Sequence, residues 1–283
     1  MKIIEETGQM KAEALKVRSA GSQSVLVPTM GALHRGHIEL IREARRLAGA
    51  KGSVVLSLFV NPTQFAPGED LGKYPRTLEA DIEVCKTEGV DVLFTPTPLG
   101  LYPEGFSTSI DVGSLGTKLC GLSRPGHFNG VATVVVKLFG ITAPDIAVFG
   151  KKDFQQLAVI RRVVVDLDIG VEITGVETVR EADGLAMSSR NRYLDDKARK
   201  EATAIAAALK TAAALYSTGE QRSAALVAAA LEVLGREVSI EVEYIKVSSA
   251  ESLEELETVD KKAFLALAVR ISGTRLIDNI ELC

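Results

Sequence analysis

Only three histidines occur in this 283-residue chain, and two of them, His34 and His37, stand three apart in Pro28-Thr-Met-Gly-Ala-Leu-His34-Arg-Gly-His37. The segment follows a short β-branched run, Val25-Leu26-Val27. It leads into His37 to Ala48, where apolar residues at 38, 41, 44 and 48 keep a helical spacing. A helix start offers unpaired backbone N–H groups and the positive end of a dipole, which suit phosphate oxygens. Gly31 and Gly36 let the backbone come close, and two imidazoles one turn apart can face the same anion. A single histidine in such a place reads as a helix cap or a solvated side chain. The H-x-G-H spacing directly after a first strand points to phosphate chemistry instead. The third, His127, lies in another glycine-containing loop.

Other signatures are missing, which narrows the chemistry. No two of the 24 glycines are separated by a single residue, so a dinucleotide G-x-G-x-x-G fingerprint does not occur. Gly68-Glu-Asp-Leu-Gly72-Lys73-Tyr74 has the wrong spacing for a P-loop and lacks its hydroxyl residue. Neither H-E-x-x-H nor G-x-S-x-G is present. Dehydrogenases, P-loop kinases, zinc proteases and α/β-hydrolases all lose ground. The 33 Lys and Arg nearly balance 37 Asp and Glu, for a net charge of -4, so no nucleic-acid partner is indicated. Cys85, Cys120 and Cys283 form no C-x-x-C pair and suit a reducing, cytoplasmic setting. Lys2, Glu5 and Glu6 stand where a secretory signal would begin its basic and apolar regions. No apolar run approaches the roughly 18 residues of a membrane span.

These groups need elements to hold them. Strands are expected at 25–27, 54–60, 90–94 and 146–149, with helices at 37–48, 78–88 and 153–165. Short apolar strands alternating with helices predict a doubly wound α/β domain with a parallel sheet, whose ligands lie beyond the strands' carboxyl ends. After about residue 195 the composition shifts. Alanine-rich helices at 196–215 and 223–234 precede strands at 239–247, 264–269 and 275–280, a smaller α+β unit hinged between Gly184 and Tyr193.

The H-x-G-H segment resembles the signature of the nucleotidylyltransferase superfamily, and further blocks sharpen the likeness. Phe59-Val-Asn-Pro-Thr-Gln-Phe65, Asp70-Leu-Gly-Lys-Tyr-Pro-Arg-Thr77 and Arg124-Pro-Gly-His-Phe-Asn-Gly-Val-Ala-Thr-Val-Val135 follow it in order. So do Gly150-Lys-Lys-Asp-Phe-Gln-Gln156, Arg180-Glu-Ala-Asp-Gly-Leu-Ala-Met-Ser-Ser-Arg-Asn191 and Thr274-Arg-Leu-Ile-Asp-Asn279. In this order they resemble the pantothenate synthetase (pantoate–β-alanine ligase) family over nearly the whole chain. Two positions depart from that pattern. Lys151 stands where the family commonly carries Glu or another non-basic residue and is expected to add positive charge near the phosphates. Glu177 replaces an expected proline.

The resemblance implies a Rossmann-like ATP- and pantoate-binding domain over 1–186 and a smaller C-terminal α+β lid over 187–283. It implies ATP-dependent ligation of pantoate and β-alanine through a pantoyl-adenylate, in a cytoplasmic homodimer, with Mg²⁺ accompanying ATP. His37, His34, Lys152 and Arg190 would be catalytic. Met30, Gly31, Ala32, Leu33, His34, Arg35, Gly36 and His37 would form one wall of the ATP site, and Gly150, Lys151, Lys152 and Asp153 another. Val179 would hold the adenine, while Met187, Ser188, Ser189 and Arg190 would close over the leaving pyrophosphate. Gln64, Gln156 and Asn61 would take pantoate, with Gln64 also facing β-alanine. Arg124 and His127 are second choices, Arg124 toward phosphate, and Asp81 is the metal candidate. A plain nucleotidylyltransferase would explain the two histidines but not the Gln156 pocket or the Arg124 block. A non-catalytic nucleotide-binding regulator would not need every charged position filled.

Overall fold

The computed structural model describes residues 1–66 and 68–282, so Cys283 lies outside the described residues. In chain order the elements are β1 (Lys2–Ile4), α1 (Thr7–Ser19), β2 (Ser24–Thr29), α2 (Arg35–Ala48), β3 (Ser53–Leu58), α3 (Leu78–Thr87) and β4 (Val92–Phe94). Then come α4 (Pro98–Leu101), α5 (Cys120–Ser123), α6 (His127–Thr142), β5 (Ile146–Gly150), α7 (Phe154–Asp166) and β6 (Glu172–Val176). The last part holds α8 (Asp196–Glu201), α9 (Thr203–Ser217), α10 (Ser223–Leu234), β7 (Ile240–Ser249), β8 (Ala263–Ile271) and β9 (Thr274–Leu282). Two compact units result. The first comprises Met1–Gly116, Arg124–Lys151 and Val159–Glu177; the second comprises Thr117–Ser123, Lys152–Ala158 and the chain from Thr178 onward. The units therefore divide after Glu177, nine residues before the expected cut at 186, and the second borrows two earlier segments.

The first unit is built on a six-stranded, all-parallel sheet of order β1-β4-β3-β2-β5-β6. Alternation sends Val25, Val27, Val54, Leu56, Leu93, Ile146 and Val148 to one face, against Ile41, Ala44 and Ala48 of α2 and Cys85 of α3. Leu26, Val55, Val92, Phe94, Ala147 and Phe149 are buried as well. Such strands must be apolar at every position, which is why they read as continuous runs. The chain order reverses between β2 and β5, and a crevice opens outside the carboxyl ends at such a switch point. β2 and β5 pair only at Val25–Ile146 and Leu26–Ala147. The strands have parted before Pro28, so its missing N–H removes no ladder bond to β5. That is why β2 continues through Pro28 to Thr29 instead of ending there.

The second unit carries the antiparallel sheet β7-β8-β9. Its core is Ile205, Leu209, Leu226 and Leu234 from the alanine-rich helices, packed with Leu265, Leu267, Val269 and Ile271 of β8. The expected helix at 196–215 is two, α8 and α9, joined at Ala202. No helix among the described residues is long and apolar enough to cross a membrane.

Candidate active site

The chain leaves β2 at the switch point through two left-handed residues in succession, Gly31 (φ 84°) and Ala32 (φ 51°). Glycine is required at the first. A Cβ there would lie 3.1 Å from both Asp81 Oδ2 and Leu58 Cδ2, and the positive φ is strained for any L side chain. The turn aims the amides of Ala32 and Leu33 at Asp81, on α3, which accepts them at 3.0 and 2.8 Å. Thr77 Oγ1 also donates to that carboxylate, which is 2% exposed. Two expectations change. Ala32 and Leu33 have spent their N–H groups on Asp81, so they offer none to a phosphate. Asp81 anchors the loop and is enclosed by donors, which is not the setting of a metal ligand.

At the end of the loop His34 is the N-cap of α2. Its Nδ1 accepts the Gly36 N–H at 3.1 Å, and His37 Nδ1 accepts the His34 N–H at 3.2 Å. This is a capping box made from two imidazoles, whose ring centroids lie 4.1 Å apart. The expected helix start at 37 moves back to Arg35 because His34 caps it. With Nδ1 of each ring accepting, a neutral imidazole carries its proton on Nε2. Capping and phosphate chemistry are thus compatible: one nitrogen fixes the ring, and the other is its N–H donor. Met30 and Gly36 are partly exposed, and Arg35 is exposed.

β3 ends at Leu58, two residues before the expected end at Val60, and the Asn-Pro-Thr-Gln segment forms a tight turn over Pro62–Gln64. Asn61 caps that turn and is 1% exposed. Its Nδ2 donates to Gln64 Oε1 (3.2 Å) and Gly130 O (3.1 Å), and its Oδ1 accepts from Tyr102 OH (2.8 Å), Thr63 N (3.3 Å) and Thr63 Oγ1 (3.0 Å). Every polar site on Asn61 is spoken for, so it holds the turn and does not take pantoate directly. Gln64 Nε2 points at Met30 Sδ, 2.9 Å away. A thioether is a weak acceptor, and a substrate oxygen could replace it.

Gln64 is held from behind by α6, whose sequence reads as a motif block and not as a helix. His127 Nδ1 donates to Gln64 O at 2.7 Å, and Arg124 Nη2 donates to the same oxygen at 3.2 Å. Because a carbonyl can only accept, the His127 proton sits on Nδ1, and Nε2 accepts from Arg124 Nη1 at 3.0 Å. Gly130 allows the close approach, since a Cβ there would stand 2.4 Å from Thr63 O. The rest of the Arg124 fork is bidentate to Glu69, 2.7 Å on each arm. Burial raises the Glu69 carboxyl, but the two Arg124 bonds outweigh it and hold the group below its ordinary value. The expectation that Arg124 meets phosphate is corrected: its charge is neutralised by Glu69. Glu69 carried no signal in the sequence.

Across the switch point, Gly150 ends β5 and Lys151 starts a short turn. Lys151 Nζ is ion-paired with Glu177. The two departures from the family pattern answer each other, so the charge expected to spread toward the phosphates is taken up locally.

The second unit supplies its own set. Lys152 Nζ lies 3.4 Å from Asp153 Oδ1, and Lys152 O accepts from Asn279 Nδ2 at 2.8 Å. Gln155 is buried, receiving Cys120 N at 3.0 Å and donating to Lys118 O at 2.7 Å. Gln156, on α7, is partly exposed, and its side chain makes no hydrogen bond among the described residues, as suits a substrate amide. Residues 179–187 fold back on themselves: Met187 N donates to Val179 O (2.9 Å), Glu181 N to Leu185 O (2.8 Å), and Gly184 takes φ 94°. This hairpin leads into Ser188, Ser189 and Arg190; Ser188 Oγ caps the turn through Arg190 N at 3.3 Å, and Ser189 is buried. Arg180 grips Asp278 on β9 at 2.6 and 3.1 Å. The closing Thr274–Asn279 block therefore positions the hairpin and Lys152, a role its sequence did not announce.

The comparisons with known proteins agree along the full chain. The family model for pantoate-beta-alanine ligase matches residues 2–281. Pantothenate synthetase from Syntrophotalea carbinolica is 50% identical over 279 residues, covering 99% of this chain and 98% of the relative. That of Mycolicibacterium vanbaalenii is 53% identical over 275 residues, covering 97% and 86%. The crystal structure of pantothenate synthetase from Thermus thermophilus superposes with a TM-score of 0.93 at 42% identity, covering 100% of this chain and 99% of that one. The pantoate-beta-alanine ligase of Francisella tularensis, complexed with beta-gamma ATP and beta-alanine, gives 0.80 at 33% identity, covering 99% and 97%. A shared fold alone would leave the chemistry open, but identity near one half over essentially every residue does not: the chain belongs to the pantoate–β-alanine ligase family.

Proposed function

We propose that this enzyme joins pantoate to β-alanine at the expense of ATP, releasing AMP and pyrophosphate, and that it works by positioning and charge stabilisation. The observation that carries the reading is the two-histidine capping box at the carboxyl end of β2. In it Nδ1 of each ring accepts a backbone N–H, which puts the proton of a neutral imidazole on Nε2. In the first step a pantoate carboxylate oxygen bonds to the α-phosphorus of ATP as the bond to the pyrophosphate oxygen breaks. Negative charge grows on the departing oxygens, and His37 and His34 donate hydrogen bonds to it while Lys152 supplies a full positive charge. In the second step the β-alanine amine attacks the activated carbonyl, AMP leaves, and the amide forms.

Gln64 and Gln156 serve pantoate, Val179 lies at the adenine, and Ser188, Ser189 and Arg190 act at the pyrophosphate. Shielding of the mixed anhydride from water falls to the same segment. Magnesium has no protein-built cage among the described residues, where no group of three or more His, Cys, Asp or Glu side chains could hold a metal. Mg²⁺ would accompany ATP and offset phosphate charge, since magnesium commonly keeps phosphate oxygens and waters as ligands. The enzyme is a cytoplasmic homodimer in this reading, so sedimentation equilibrium should give twice the 30.2 kDa chain mass.

The direct test is to mix ATP, pantoate and β-alanine with the protein and follow AMP and the amide product together. Nucleotide transfer without amide would instead identify a plain nucleotidylyltransferase.

A further inference from the structure

Gln64 can present either end of its amide to a substrate, and the two ends do opposite things. The carbonyl accepts, as an ammonium would require; the NH₂ donates, as carboxylate and hydroxyl oxygens require. The structure decides between them through Asn61, which is held in turn by Tyr102, a residue that no motif covers.

Asn61 lies behind Gln64, and its own orientation is fixed. Gly130 O can only accept, so Asn61 Nδ2 faces it; the Thr63 N–H can only donate, so Oδ1 faces that. Tyr102, just past α4, closes the arrangement with its hydroxyl 2.8 Å from Asn61 Oδ1. The tyrosine ring is itself held: Phe106 meets it edge-on at 5.0 Å, Phe59 lies at 6.2 Å, and Lys137 Nζ sits over both the Tyr102 and Phe106 faces. Burial raises the phenol above its ordinary value, and because an amide oxygen can only accept, the hydroxyl donates to Asn61 Oδ1. With Asn61 so fixed, its second Nδ2 hydrogen goes to Gln64 Oε1, and Gln64 can turn only Nε2 toward Met30 and whatever ligand lies there.

We propose that Tyr102 is a positioning residue: by giving Asn61 Oδ1 a short side-chain donor beside the Thr63 N–H, it holds the Asn61 amide firmly in the orientation that turns Gln64 Nε2 outward, so that Gln64 meets the oxygens of pantoate as a hydrogen-bond donor. This rests on the assignment of Gln64 to the pantoate subsite. The substrate group at Gln64 is then a carboxylate or hydroxyl oxygen and not the β-alanine ammonium.

The test is steady-state kinetics on Tyr102→Phe, Gln64→Ala, Gln64→Glu and the Tyr102→Phe/Gln64→Ala double variant. Tyr102→Phe keeps the ring and its packing and loses only the hydroxyl. It should raise the pantoate KM roughly 3–10-fold, the range of one neutral hydrogen bond, and leave the ATP KM within about twofold. In the Gln64→Ala background the same change should do nothing further, because the group it orients has gone. Gln64→Glu, which keeps an acceptor and removes the donor, should be at least as damaging as Gln64→Ala. An equal cost of Tyr102→Phe in both backgrounds would make the hydroxyl merely structural and overturn the proposal. So would a Gln64→Glu enzyme clearly better than Gln64→Ala. If Gln64→Ala leaves the pantoate KM unchanged, the subsite assignment has failed, and with it the premise. If Gln64→Ala raises that KM and Tyr102→Phe does not, the positioning inference alone has failed.

Discussion

At the scale of single residues, the role proposed for His37 uses both ring nitrogens, Nδ1 as the acceptor in the cap and Nε2–H as the donor to the phosphates. Replacing it by alanine removes both contributions, which kinetics alone would not separate. The expected loss in turnover is about 10²–10³-fold from the missing transition-state donor, with about 1 kcal/mol of stability from the missing cap. His37→Asn offers a short side chain whose carbonyl can accept the His34 N–H while the far donor is lost. It should recover most of the stability and little of the turnover, measured by urea unfolding beside initial rates. Recovery of both would place the chemistry elsewhere. Lys151 illustrates the opposite case, a conspicuous charge whose partner, Glu177, is in the same chain and largely exposed. Pairs of that kind contribute little, so neither side chain is expected to govern ATP affinity.

At the scale of elements, the loop after β2 is shaped by α3 through one carboxylate. Asp81→Asn keeps a single acceptor for two buried amides and should cost about 1–3 kcal/mol, the penalty for one unpaired group. The ATP KM should rise with it, because the same loop delivers His34. Stability lost with ATP kinetics untouched would show that the loop and the nucleotide are independent. The Glu69–Arg124 fork ties the segment before α3 to the start of α6, and it has a definite pH signature. Its carboxyl is lower in the folded protein than in the unfolded chain, so its stabilising contribution is complete above the ordinary glutamate range. It is lost as pH falls through the folded value. The Tm difference between the native protein and Glu69→Gln should therefore shrink on going from pH 7 to pH 3. A difference that grows on acidification would reverse the assigned direction.

At the scale of the whole molecule, the chemistry assigned to the two units runs in a fixed order. The pantoate carboxylate is itself the nucleophile, so adenylation can finish before an amine is present. Labelled pyrophosphate should exchange into ATP when pantoate is supplied and β-alanine is withheld, and the exchange should vanish without pantoate. Adding β-alanine should divert the adenylate to amide and AMP. An exchange that strictly needs β-alanine would replace the two-step scheme with a concerted one, and exchange without pantoate would mean an adenylylated enzyme.

How much of this the sequence determined follows from the range of the interactions involved. The H-x-G-H cap closes within four residues, the buried parallel strands must be apolar at every position, and Gln156, the glutamine proposed for pantoate, sits on a helix that starts at Phe154. Each is written locally, so the fold class and the family were legible, and with them the cap that the two histidines form. Helix α6 was not, because it is apolar nearly all round and lacks the one-sided stripe that marks a surface helix. Equally hidden was which polar groups the fold had already consumed. Asp81 spends itself on amides 48 and 49 residues away, Arg124 on a carboxylate 55 away, and Asn279 on a carbonyl 127 away. Spacing along the chain says nothing about such pairs, since a carboxylate or guanidinium is drawn to whichever opposite group packing brings beside it. Only the tertiary structure could separate the side chains left for substrate from those holding the others in place.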